Sequence, residues 1–96
     1  MDNRGGIVPQ GNMNEGQQLI EACKQHILRT MRGMQECVPQ TGRGAGNRQI
    51  ELNAGFDLEL AGHDGWFTWS LLTSLVQEGA IEIVPGTEKR RRYRLR

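Results

Sequence analysis

Six cations crowd the last eight residues: Lys89, Arg90, Arg91, Arg92, Arg94 and Arg96. At this density, lysine and arginine contact phosphates, release counterions and position a protein on a polyanion without reading its sequence. The formal charge of the 96-residue chain is only +1, from 12 basic and 11 acidic residues. Removing those six cations leaves six against eleven anions, so residues 1–88 carry −5 and the last eight carry +6. This asymmetry points to a polyanionic partner at one end of the molecule. An edge strand guarded against aggregation also uses arginine, but six cations in eight residues exceed that need.

A second set of candidates is polar rather than charged. Thr68, Ser70, Thr73, Ser74 and Gln77 fall on one predicted helix, where hydroxyls and amides can hydrogen-bond phosphates or base edges. Arg48 and Gln49, at the start of a shorter helix, and Arg43 in the loop before it are further phosphate contacts. Trp66, Phe67 and Trp69 form an aromatic cluster. Trp69 is expected in the core, and Trp66 is left open between core packing and stacking on bases or a partner.

Other chemistries are poorly served. Cys23, His26, Cys37 and His63 match no compact C-x-x-C framework, and Cys23 sits on an apolar stripe. A free thiol beside a surface histidine is expected, without metal or cofactor. Gly42-Arg43-Gly44-Ala45-Gly46 lacks the preceding strand and following Lys-Ser/Thr of a phosphate loop, and reads as a flexible connection. Asp57, Glu59, His63 and Asp64 cluster in a polar turn with no evident pocket, so no enzyme is expected. No apolar run approaches a membrane span, and two free cysteines without a secretory leader suggest a cytoplasmic protein.

The elements that must position these residues follow from spacing. A chain of this length allows one domain, expected over 15–96 behind a disordered tail, 1–14. Ile20, Cys23, Ile27, Met31 and Met34 make one face of a helix over 15–34, broadened by Leu19 and opened by Asn14 as N-cap. A short helix over 48–54 carries Ile50 and Ala54 inward, Gly55 closes it, and Phe56 folds back over it. Leu58 and Leu60 alternate with charges before a turn at 62–65. Thr68 then caps a third helix over 69–78, with Trp69, Leu72, Leu75 and Val76 buried and Gly79 as stop. Strands over 81–84 and 90–95 flank the Pro85-Gly86 turn. On the second strand Arg91, Tyr93 and Leu95 share one face, and Arg92, Arg94 and Arg96 share an outward cationic face.

The segments Ile50-Glu51-Leu52-Asn53-Ala54-Gly55-Phe56, Leu71 to Ile81 and Arg91-Arg92-Tyr93-Arg94-Leu95 together resemble the winged helix-turn-helix DNA-binding domain family. The middle one is similar to that family's pattern of leucine, three residues, leucine-valine, two residues, glycine, one residue, isoleucine. The resemblance spans roughly residues 17–96. It implies an α+β fold of three helices followed by a C-terminal two-stranded β-hairpin wing. It also implies a transcriptional regulator with the third helix in the major groove of double-stranded DNA and the basic hairpin on the backbone. A homodimer through the first helix, near Met31 and Met34, is a further expectation. Two features depart from the pattern: a long connection from Phe56 to Trp66, and a third helix without lysine or arginine. The latter, with the −5 of residues 1–88, supports a rival, a winged helix meeting an acidic protein. Another is an accessory DNA-binding part of a restriction or modification system, because Asp64-Gly65-Trp66-Phe67-Thr68-Trp69 resembles the winged helices of such systems. A basic hairpin suits RNA as well.

Overall fold

A computed structural model describes residues 7–57 and 65–96, with side chains from residue 14 onward. It is an α+β unit: three helices, α1 (Ile7–Arg32), α2 (Asn47–Ala54) and α3 (Trp66–Gln77), then strands β1 (Ile81–Ile83) and β2 (Tyr93–Leu95). The strands form one antiparallel hairpin, with Ile81 opposite Leu95 and Ile83 opposite Tyr93. This layout is consistent with a winged helix. Leu58, Glu59, Leu60, His63 and Asp64 lie outside the described residues.

Helix α1 starts at Ile7, so residues 7–14 of the expected tail are helical and Asn14 is not a cap. Pro9 is compatible with this, because the first four N–H groups of a helix have no intrahelical partner to lose. The helix ends two residues early. Gly33 and Met34 donate to the carbonyls of Thr30 and Met31 at 3.1 and 3.0 Å, tightening the chain toward a 3-10 turn at Gln35–Cys37.

Only the C-terminal half of the α1 stripe is core. Ile27, Leu28, Met31 and Met34 are buried, while Leu19 and Ile20 are exposed. Met31 and Met34 are therefore packed inside their own domain, the core alternative to a dimer surface that the same spacing allowed. From α2, Ile50 and Ala54 are buried as their spacing requires. Gly55 adopts a left-handed conformation at φ 75°, and its N–H donates to Leu52 while Phe56 N–H donates to Glu51. Phe56 then folds back, its ring 5.3 Å from the His26 ring and 5.4 Å from Phe67.

Helix α3 begins three residues before its expected start, at a left-handed Gly65 that displaces Thr68 as cap. The buried face is accordingly Thr68, Leu71, Leu72 and Leu75 rather than the stripe through Trp69. Lys24 fastens the far end of α3 to α1. Its ammonium is buried, pairs with Glu78, and lies 3.8 Å from Glu21. The Lys24 hydrogen bond, more than any other cause, holds the Glu78 carboxyl below its ordinary value of 4.5. The unfolded chain then takes up a proton near pH 4.5 that the folded chain resists, so this contribution is complete above that pH. It is lost as pH falls through the folded value. Urea midpoints measured from pH 6 to pH 3 should fall less steeply for Glu78→Gln than for the parent.

Tyr93 closes the core from the hairpin side and is 1% exposed. It also pairs with Ala45: Ala45 N–H donates to Tyr93 O at 3.0 Å and Tyr93 N–H donates to Ala45 O at 2.8 Å. The glycine-rich segment before α2 is therefore no flexible connection but a one-residue extension of the sheet. Gly42 and Gly44 make it fit. A Cβ at Gly42 would stand 2.3 Å from Glu36 O, and one at Gly44 2.7 Å from both Arg92 Cβ and Val84 Cγ2. Under this segment Cys37 is fully buried, its thiol donating to Tyr93 O at 3.6 Å. Burial, helped by the Glu36 charge, pushes the Cys37 thiol up to about 11. Because thiolate is the nucleophile, iodoacetamide at pH 8 should alkylate the half-buried Cys23 well before Cys37, as intact mass against time would record.

Candidate nucleic-acid interface

The hairpin connection organises the terminal cations. Thr87 pins it from inside: its hydroxyl donates to Val84 O at 2.7 Å and accepts from Arg92 N–H at 3.1 Å. Arg90 N–H donates to Thr87 O at 3.1 Å, so the chain loops tightly and regular pairing stops at Tyr93. The strand expected over 90–95 is shortened to three residues for this reason. Lys89, Arg90 and Arg91 are exposed on the loop and form no ion pair among the described residues.

The other arginines of the run behave differently. Arg94 Nε pairs with Glu82 at 2.6 Å and its Nη1 donates to Gly42 O at 2.9 Å, leaving the side chain 15% exposed. Arg92 Nη1 donates to Gly44 O at 3.0 Å. Of the face expected to point outward as a cationic surface, Arg96 is exposed, Arg92 is exposed with one tie, and Arg94 lies against the Gly42–Gly44 segment, whose carbonyls need donors. Arg94 is a structural tie, and Arg92 is partly one.

Residues 90–92 border a shallow groove of about 560 Å³, whose other wall is Gly46–Gln49 at the start of α2. The helix opens at Gly46 without a side-chain cap, so its positive dipole end adds to the arginines. Arg48 is on this wall and pairs with Glu51 at 2.6 Å. Gln49 donates to Glu36, whose carboxyl is held low by its own backbone N–H first and by Gln49 next, with Arg43 and Arg92 adding to the effect. Asn47 Nδ2 donates to Gly65 O at 3.2 Å, tying the start of α3 to the same wall.

On α3 the expected contacts divide. Thr68 is fully buried with an unpartnered hydroxyl and has no surface to offer a ligand. The Thr73 hydroxyl is also buried and unpartnered, and Ser74 Oγ donates to Glu78 at 3.3 Å. Ser70 and Gln77 are exposed. Trp69, expected in the core, is instead 49% exposed, as is Trp66. Helical geometry explains both positions: at 100° per residue, 66, 69, 70, 73 and 77 share the side opposite Thr68, Leu71 and Leu75.

Of the residues weighed for metal, His26 hydrogen-bonds Ala54 O at 2.8 Å and Cys37 is enclosed, and no group of three metal-binding side chains gathers among the described residues. No helix among them is long and apolar enough to cross a membrane. The chain matches no family model, no curated protein and no solved structure.

Proposed function

We propose that the chain is a DNA-binding winged-helix protein of the transcriptional-regulator class. The observation that carries this reading is the groove between the α2 start and the hairpin. Exposed Arg90 and Arg91 stand there beside an uncapped helix start, with Lys89 exposed next to them on the hairpin loop and Arg43 exposed on the loop before α2. Such a site neutralises phosphates, and the +6 of the last eight residues draws a polyanion toward it. The hairpin acts as wing on the backbone, and α3 presents Ser70 and Gln77 to the groove of the DNA.

Binding of a labelled duplex, followed by anisotropy from about 50 to 200 mM salt, tests the reading. Affinity should fall linearly with salt on logarithmic axes. A flat response, or no binding at the lowest salt, overturns it. An acidic protein could engage the same cations, and capture of partners that survives nuclease treatment would favour that alternative.

A further inference from the structure

We propose that the solvent face of α3 stacks on unpaired bases, so that the preferred partner is single-stranded DNA. This rests on the basic phosphate-binding groove proposed above, and it gives the α3 face a single strand in place of the duplex groove. Trp66 and Trp69 are the only tryptophans in the chain, and each is 49% exposed while the smaller Leu71, Leu72 and Leu75 on the same helix are buried. The face carries no lysine or arginine for bidentate pairing with guanine, and the Thr73 hydroxyl is turned away from solvent. Two indole planes therefore dominate what this surface offers. Aromatic planes stack on any base, but within a duplex the faces of the bases are covered by their neighbours.

Position joins these planes to the cations. Gly65 O accepts the Asn47 amide at 3.2 Å, and Asn47 lines the groove opposite Arg90–Arg92. Trp66, the next residue, thus follows directly on a residue hydrogen-bonded to the wall of the groove that would track the phosphates. It is also braced, because its ring meets Phe67 at 6.3 Å edge-on and Phe67 meets Phe56 at 5.4 Å. A held ring loses little freedom when a base stacks on it. Basic groove and fixed aromatic platform together are the arrangement single strands require.

The test uses the full chain with three labelled probes at one salt concentration: a twelve-residue oligothymidylate, a 24-base-pair duplex and a twelve-residue oligouridylate. The oligothymidylate should quench the intrinsic tryptophan emission saturably, and the duplex should not. Trp66→Ala and Trp69→Ala should each weaken oligothymidylate binding about tenfold, well beyond any effect on duplex binding, with Trp→Phe recovering part of the loss. Far-UV circular dichroism confirms that each variant is folded. Equal quenching by the duplex, oligothymidylate binding without quenching, or unchanged affinity of the folded Ala variants overturns the inference. Tighter binding of oligouridylate overturns the assignment to DNA. Duplex binding with any of these results sinks the stacking alone, whereas no binding to any probe sinks the nucleic-acid reading beneath it.

Discussion

Tyr93→Ala is expected to cost about 3–5 kcal/mol, the range for removing a large buried aromatic ring. Domains of ordinary size have only about 5–15 kcal/mol in total, so the variant should be near the edge of folding. The reason is where the ring sits. Tyr93 is 1% exposed, and its backbone holds Ala45 on one side while its side chain closes the core above α1. Removing the ring opens a cavity where the hairpin, the Cys37 corner and α1 meet, and backbone pairing with Ala45 cannot close it. The urea midpoint should fall by at least about 1 M at ordinary denaturant slopes. Tyr93→Phe keeps the volume and should stay close to the parent. An unchanged midpoint for the Ala variant would remove Tyr93 from the core.

Replacing Lys89, Arg90 and Arg91 together by alanine should leave stability unchanged and, under the proposed DNA-binding function, change duplex binding strongly. Each phosphate contact contributes about 0.9 to the slope of log affinity against log salt, so three lost contacts lower it by about 2.7. Between 50 and 200 mM salt, the parent's loss of affinity should exceed the variant's by about fortyfold. Arg94→Ala should do the reverse. Its partners are Glu82 and the Gly42 carbonyl, so it should lower the urea midpoint and leave the salt slope nearly intact. An unaltered slope in the triple variant would mean that these cations do not touch the backbone of the DNA.

These variants mark the division between what spacing reveals and what it hides. Alternation correctly put Tyr93 and Leu95 on one side of the last strand and Arg92 and Arg94 on the other, but it also placed Arg91 inward, whereas Arg91 is exposed on the loop before the strand. It did not say what lies against the second side. Gly42 and Gly44 occupy it, forty-eight or more positions away in sequence. Similarly, Gly55 and Gly79 marked the ends of α2 and α3 because a left-handed residue after a periodic run has a local cause. The start of α3 has a non-local one. Gly65 is bound by Asn47, so the helix begins before the favoured cap Thr68 and turns Trp69 out to solvent. Hydrophobicity placed Trp69 inside, and phase placed it outside. The groove was half legible: its cations stood out in composition, but its other wall depends on how α2 meets the hairpin.

Helix α1 is continuous in geometry but not in free energy. At 1.5 Å per residue its 26 residues run about 39 Å, yet burial begins only around Cys23 and Lys24. Residues 14–22 are exposed all round, so little but their own hydrogen bonds holds them helical. Backbone amides at Ile27–Met31 share the opening energy of the whole domain, while those a few turns earlier can open without disturbing it. The first helix is thus a graded element. Its buried half reports global unfolding and its outer half only local opening, and a partner that packed along the outer turns would raise the second free energy toward the first.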